Sequence, residues 1–204
     1  MGRVAVYIDG FNLYFGMKQK FGKKFFWLDP YALGSTFLTG GQELVRVVYF
    51  TARVRNDPTA QANQGTYLSA LRSMARCEVV EGRFQSKQRT CIKCGHSHTA
   101  YEEKETDVSL AAALVEDAAT NVYDKAILVT ADSDLGPAVR AARRLNSQAR
   151  IVAAFPPERR SGDLAKEVHG TFAIGRDKLN GAQLPDTVAD LASGKVFARP
   201  TSWR

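Results

Sequence analysis

Asp9, Asp107, Asp132 and Asp134, with the amide of Asn12, are the side chains of this sequence best suited to act together. Carboxylates gathered at one place repel one another and raise each other's pKa unless a cation neutralises them. Hard oxygen ligands of this kind select Mg²⁺ or Mn²⁺, ions that keep part of their water shell and coordinate phosphate oxygens. The residues by themselves therefore imply phosphoryl chemistry, in which charge on a phosphate is neutralised and water is activated for attack. The acids lie far apart in the chain, so folded elements have to bring them together.

Two strands are the first of those elements. Ala126 to Thr130 is a short apolar, β-branched run that stops at Asp132, Ser133 and Asp134, and Arg3 to Ile8 is a second one that stops at Asp9. Strands ending in Asp at opposite ends of a domain meet only as neighbours in a sheet, with their acids on the carboxyl edge where ligands of a parallel α/β sheet sit. Asp132 and Ser133 are equally good helix caps, with Pro137 suited to a first turn, so capping is the competing account of them. A third element is a helix opened by Glu102, Glu103, Glu105 and Asp107. Its buried face is expected on Val108, Leu110, Ala111, Leu114 and Val115, with Glu103 and Asp107 on one side.

The segments YIDGFNLY (7–14), EEKETDVSLA (102–111) and VTADSDLGPAV (129–139) resemble the three signature blocks of the NYN family, PIN-like proteins whose better-known relatives are metal-dependent ribonucleases. The likeness continues through VVEGRF (79–84), YDKAIL (123–128), AFPP (154–157) and Gln183 to Pro185, and so covers roughly residues 1–185. It implies a Rossmann-like, three-layer α/β fold with a central, mostly parallel sheet. It also implies a Mg²⁺- or Mn²⁺-dependent hydrolysis of RNA phosphodiesters, single-stranded or structured, and a homodimer. Asp9, Asp107, Asp132 and Asp134 fall on the family's acidic positions and Asn12 on a neutral donor, with Lys104 or Glu103 assisting. Thr130, Ala131 and Ser109 depart from the common residues, and none of these removes an acid.

Other residues extend the expected site. The strand from Leu44 to Phe50 runs into Thr51, Arg53 and Arg55, and the loop after the strand Arg150 to Ala154 carries Arg159 and Arg160. On a parallel sheet these arginines share the edge with the acids and suit a substrate phosphate, as does Ser133 between its two aspartates. Arg140, Arg143 and Arg144 form a basic helix face, and Lys18 to Lys24 with Phe25, Phe26 and Trp27 mix cations with aromatics in the manner of single-strand binders. A solvated helix surface and a core aromatic run are the plainer accounts of those two groups.

Residues 84–101 interrupt the alternation as an inserted loop with little apolar content. Cys91, Cys94, His96 and His98 within it have the Cys-x-x-Cys-Gly turn of a structural Zn²⁺ site; a reduced cysteine pair is the alternative. Cys77 is expected in the core and His169 in a structural role. Residues 186–204 are expected as a tail that is flexible or packs late.

With 204 residues the chain is one domain with a full core, and its three cysteines exclude a disulfide framework. No apolar run approaches the ~20 residues of a membrane span, and a cytoplasmic protein is expected. The net charge of +7 favours a polyanionic partner. A haloacid-dehalogenase-type phosphatase would need a second Asp where Phe11 stands, and a dinucleotide enzyme would need a glycine-rich turn that is missing. A PIN-like RNA-binding or adaptor protein that keeps the acids without turnover is the remaining alternative.

Overall fold

Alternation along the central strands divides the core in two. In β1 (Gly2–Asp9) the side chains of Val4, Val6 and Ile8 enter one apolar layer and those of Ala5 and Tyr7 the other. β2 (Gln42–Ala52) divides the same way, Val47 and Tyr49 against Val48 and Phe50, and so does β5 (Lys125–Val129), Ile127 and Val129 against Ala126 and Leu128. Strands apolar on both faces have to be covered on both faces, which makes a three-layer α/β protein. The computed structural model describes residues 2–55, 57–90, 92 and 94–203, with the backbone alone at 84–87, 89 and 98–103.

The helices follow from this division. α1 (Gly10–Phe21), α2 (Pro30–Ser35) and α3 (Pro58–Met74) cover the first face, where Leu13, Met17, Leu33 and Leu68 are buried. α4 (Thr106–Ala119), α5 (Gly136–Leu145) and α6 (Gly162–Glu167) cover the second through Leu110, Leu114, Val139 and Leu164. With β3 (Glu78–Thr90), β4 (Ser97–Lys104), β6 (Arg150–Phe155) and β7 (Thr171–Ala173), the main sheet has the order β4-β3-β2-β1-β5-β6-β7. All of its pairings are parallel except that of β3 with β4. Connections leave β1 toward β2 on one side and β5 opens the other side, so the strand order reverses between β1 and β5.

Three expectations are corrected. The described residues of 84–101 are mostly strand and not an inserted loop: β3 continues to Thr90 and is paired with β4 in an antiparallel ladder from Arg83 opposite Lys104 to Thr90 opposite Ser97. Backbone pairing orders an insert that has few apolar side chains. Cys94 and His96 are exposed at its tip, where Gly95 takes a left-handed φ of 69°. Cys91 and the side chain of His98 lie outside the described residues. Second, Glu102 and Glu103 belong to β4, because Glu105, at φ 78°, turns the chain and α4 begins at Thr106; Glu103 and Asp107 therefore share no helix face. Third, Val108 lies outward, 71 % exposed, and the buried side of α4 runs through Leu110, Leu114, Asp117 and Ala118. There Asp117 accepts from the Tyr7 hydroxyl and pairs with Arg46, tying α4 to the sheet.

Residues 186–203 are ordered on the domain. Between α7 (Arg176–Gly181) and the C-terminus, β8 (Thr187–Ala189) and β9 (Val196–Ala198) form a hairpin, and Val188 and Trp203 enter the first core layer. His169 Nδ1 accepts from the Ile151 amide at 2.9 Å, a structural bond. Burial pushes the Cys77 thiol up to about 12, which keeps it neutral and unreactive near neutrality. Alkylation at pH 8 is expected to label exposed Cys94 quickly and half-buried Cys77 slowly until the protein unfolds; peptide mass mapping of native and urea-treated protein measures it, and equal native labelling of the two would contradict a protected Cys77 thiol.

Candidate active site

The parity of β1 puts Asp9 on the side of Ala5 and Tyr7, the face that α4 covers. Asp9 is 5 % exposed and caps α1: its Oδ1 accepts from the Asn12 amide at 2.9 Å and its Oδ2 from the Thr130 hydroxyl at 2.9 Å. The same hydroxyl oxygen accepts from the Asp132 amide at 3.1 Å, and Asn12 Oδ1 accepts from the Ala131 amide at 3.2 Å. Two hydroxyl and amide bridges thus lock the end of β1 to the end of β5. Capping and site formation are not alternatives here, since a carboxylate has about four lone-pair positions and a cap uses one or two of them.

Asp9, Asn12, Asp107 and Asp132 line one cavity of about 210 Å³, together with Phe11, Phe15 and Arg159. It opens at the carboxyl ends of β1 and β5, the place where the strand order reverses and where ligands of open α/β sheets bind. Asp107 arrives in the first turn of α4, and Asp132 caps a single 3₁₀ turn, Ser133–Leu135, by accepting from the Asp134 amide at 2.9 Å. Among the described residues no three His, Cys, Asp or Glu side chains stand close enough to hold a metal ion by themselves. An open ring of oxygen donors does fit Mg²⁺ or Mn²⁺, which use one or two carboxylates and complete their shell with water and substrate phosphate.

Arg159 reaches the acids because of Gly16. A Cβ at Gly16 would lie 2.4 Å from Pro157 O and 3.1 Å from Pro156 Cβ, so only glycine lets the 156–159 turn sit on α1. The Arg159 Nε is buried and has no hydrogen-bond partner among the described residues. Gly16→Ala is expected to cost about 1–3 kcal/mol of stability, as other overpacked sites do, and to draw Arg159 away from the cavity. Urea denaturation measures the first effect, and an unchanged midpoint would mean that the turn is not packed as described.

Other expected site residues lie elsewhere. Ser133 and Asp134 are exposed beside a neighbouring cavity with Arg140, Asp163 and Glu167, because the 3₁₀ turn carries them past Asp132. Arg53 pairs with Glu81, which also binds Arg72; the two guanidiniums hold the Glu81 carboxyl below its ordinary range, Arg53 first. Arg160 is exposed beyond Arg159, and Lys104 is half-buried at the end of β4. Arg140 pairs with Glu167 and Arg143 donates to the Glu167 carbonyl, so two of the three helix arginines serve to seat α6. Phe25, Phe26 and Trp27 are all buried in the core. Sequence reasoning missed Thr130 as the bridge and Phe11 and Phe15 as cavity wall. The two rings, four residues apart on one face of α1, stack at 6.2 Å, with Phe15 46 % exposed. That helical spacing, directly after Asp9, was the available signal.

Fold and site together describe an α/β domain of the nuclease-like, PIN-like kind, with an acidic cavity at the switch point of its sheet. The NYN domain family matches residues 3–174, and the chain belongs to that family. Among curated proteins it is similar to 6-hydroxy-3-succinoylpyridine 3-monooxygenase HspA of Pseudomonas putida, at 28% identity over 240 residues, 98% of this chain and 75% of that protein. Among solved structures it is similar to a protein of unknown function from Vibrio parahaemolyticus, with a TM-score of 0.61 and 20% identity over 90% of this chain and 96% of that one. That structural likeness concerns the fold. No helix among the described residues is long and apolar enough to cross a membrane.

Proposed function

We propose that this protein is a metal-dependent nuclease that hydrolyses RNA phosphodiesters in the acidic cavity. The observation that carries the reading is the meeting of Asp9, Asn12, Asp107, Asp132 and Arg159 around one opening, from four separate segments of the chain. Asp9 and Asp132, braced by Thr130, would hold Mg²⁺ or Mn²⁺ with Asp107 contributing directly or through water. Such an ion supplies charge neutralisation and lowers the pKa of water. The amide of Asn12 orients substrate across the site. The unpartnered Nε of Arg159 is a donor left over for a phosphate oxygen, in the planar geometry that guanidinium offers. The net charge of +7 draws a polyanion toward the edge.

The test is cleavage of single-stranded and structured RNAs and DNAs by metal-stripped protein, with Mg²⁺ or Mn²⁺ added back. Cutting that requires the ion and the acids supports the reading. A folded protein that binds RNA without cutting it replaces the reading with an RNA-binding or adaptor role.

A second reading comes from the monooxygenase relative and from a cavity next to the acidic one, lined by Phe11, Tyr14, Tyr49 and Tyr67. Ring hydroxylation would convert a C–H bond, dioxygen, two electrons and two protons into C–OH and water, so it requires a two-electron donor. Dioxygen uptake with 6-hydroxy-3-succinoylpyridine and a reduced nicotinamide tests it. Uptake matched by hydroxylated product would make it the leading reading.

A further inference from the structure

A second cavity of about 210 Å³ shares Phe11 with the acidic one and runs from there between α1, the carboxyl end of β2 and α3. Phe11, Tyr14, Tyr49, Tyr67 and Trp203 line it. With Phe26, six aromatic side chains surround this space. Trp203 is held there by edge contacts with Phe26 at 5.5 Å and with Tyr67 at 6.0 Å, so the last residues of the chain form part of the wall.

Polar groups gather at the α3 side of this cavity, where Asp57, Thr59 and Gln64 belong to its lining. Thr51 and Asn63 line it, Asn63 donating to the Ser202 hydroxyl at 3.2 Å, and burial holds the Tyr49 hydroxyl protonated well above the ordinary tyrosine range. Both hydrogen-bond donors and acceptors are therefore present against an apolar, flat-sided space. Lys18 and Lys23 belong to the same lining, both exposed, and Lys18 Nζ sits 5.8 Å from the centre of the Tyr14 ring. Drug-sized ligands occupy about 300–1,000 Å³, so the volume suits one or two fused rings and nothing larger.

We propose that this cavity is a nucleobase pocket, receiving the planar ring of the nucleotide whose phosphate lies in the acidic cavity on the other side of Phe11. Stacking on aromatic side chains is how proteins hold unpaired bases. Phe11 belongs to both walls, so a base and its neighbouring phosphate meet the protein at adjoining places. Tyr49 fixes the separation: a Cβ at Gly10 would lie 2.8 Å from its ring and 2.6 Å from Phe50 O, so the backbone just after Asp9 rests directly on it. The choice of a nucleobase rests on the phosphodiester reading given above; the binding itself does not depend on turnover.

The experiment is isothermal titration of metal-stripped protein, in chelator, with the four ribonucleosides, their 5′-monophosphates and 6-hydroxy-3-succinoylpyridine; no binding of any nucleoside overturns the proposal. Tyr14→Ala removes a stacking face, and Ala60→Phe fills the cavity from α3, so that one variant deletes packing and the other adds it. Expected is binding of at least one nucleoside, weakened about five- to 150-fold by Tyr14→Ala and lost in Ala60→Phe, with circular dichroism reporting that both variants are folded. Monophosphates that bind while nucleosides do not, with neither variant changing the affinity, would assign all binding to phosphate and overturn the pocket. Binding of 6-hydroxy-3-succinoylpyridine with no binding of any nucleoside would overturn the nucleobase in favour of a free heterocycle. Because no ion is present, a protein that cuts no RNA still passes or fails this test, and loss of the nuclease reading is seen separately.

Discussion

Asp9→Asn is expected to lower RNA cleavage by roughly a hundredfold or more, since even residues that only support metal ligands cost 10–100-fold when replaced. The substitution separates charge from structure. Asn is as good an N-cap as Asp, so the bond from the Asn12 amide and the start of α1 should survive. With its oxygen kept on the Asn12 amide, the new Nδ2 takes the place of Oδ2 and donates to the Thr130 hydroxyl oxygen, so the bridge survives with its direction reversed. What is lost is the negative charge at the centre of the acidic cavity. Single-turnover cleavage at saturating Mn²⁺ should show the fall in rate, with RNA affinity in chelator little changed and the urea midpoint within about 0.5 kcal/mol of the parent, as for substitutions that spare packing. Thr130→Val is the companion: it removes the bridge that braces Asp9 and Asp132 while leaving every acid in place, and about a tenfold loss is expected. Full activity in Asp9→Asn would remove this carboxylate from the reaction. A rate that falls only in step with stability would make Asp9 a cap and nothing more.

The sequence carried this site unevenly, for physical reasons. Asp9 and Asp132 were legible because a buried strand is a continuous apolar run and its end is abrupt, so an acid just beyond it is easily seen. That the two strands are neighbours followed from the need to bring their acids together, and the parallel pairing of Val4 with Lys125 through Ile8 with Val129 agrees with it. The beginning of α4 was not legible. Glu102 and Glu103 are good helix formers, and the left-handed turn at Glu105 that ends β4 leaves no mark in composition. The inserted segment was misread for a related reason: a strand pair projecting from a sheet edge is held by backbone bonds, to which side-chain periodicity contributes little. Asp134 shows the limit of spacing arguments. Two acids two residues apart point to one side only in an extended chain, and a 3₁₀ turn after Asp132 sends the second one to the neighbouring cavity.

Trp27→Ala is expected to be the most destabilising single change of the first core layer, costing about 3–5 kcal/mol. Trp27 is fully buried, its Nε1 donates to Pro185 O at 2.7 Å, and its carbonyl accepts from the Leu184 amide at 3.0 Å. Its ring lies 5.9 Å from that of Tyr67 and 6.4 Å from that of Trp203. One side chain thus joins the segment after α1, the face of α3 and the chain beyond residue 174, where the match to the NYN family ends. Set against a total of about 5–15 kcal/mol for a domain, such a loss should shift the urea midpoint far and loosen the C-terminal hairpin with it. Trp27→Phe keeps most of the apolar contact and gives up the part-buried bond to Pro185 O, a net loss of about 0.5–1.5 kcal/mol because water reaches the freed carbonyl. The comparison therefore apportions the effect between packing and the hydrogen bond. Hydrogen exchange in β8 and β9 adds the decisive reading. If Trp27→Ala lowers global stability and hairpin protection together, residues 175–203 fold as one unit with the domain. If the hairpin exchanges early in the parent protein and the substitution leaves the midpoint alone, the C-terminal segment is an independent cover on the aromatic cavity.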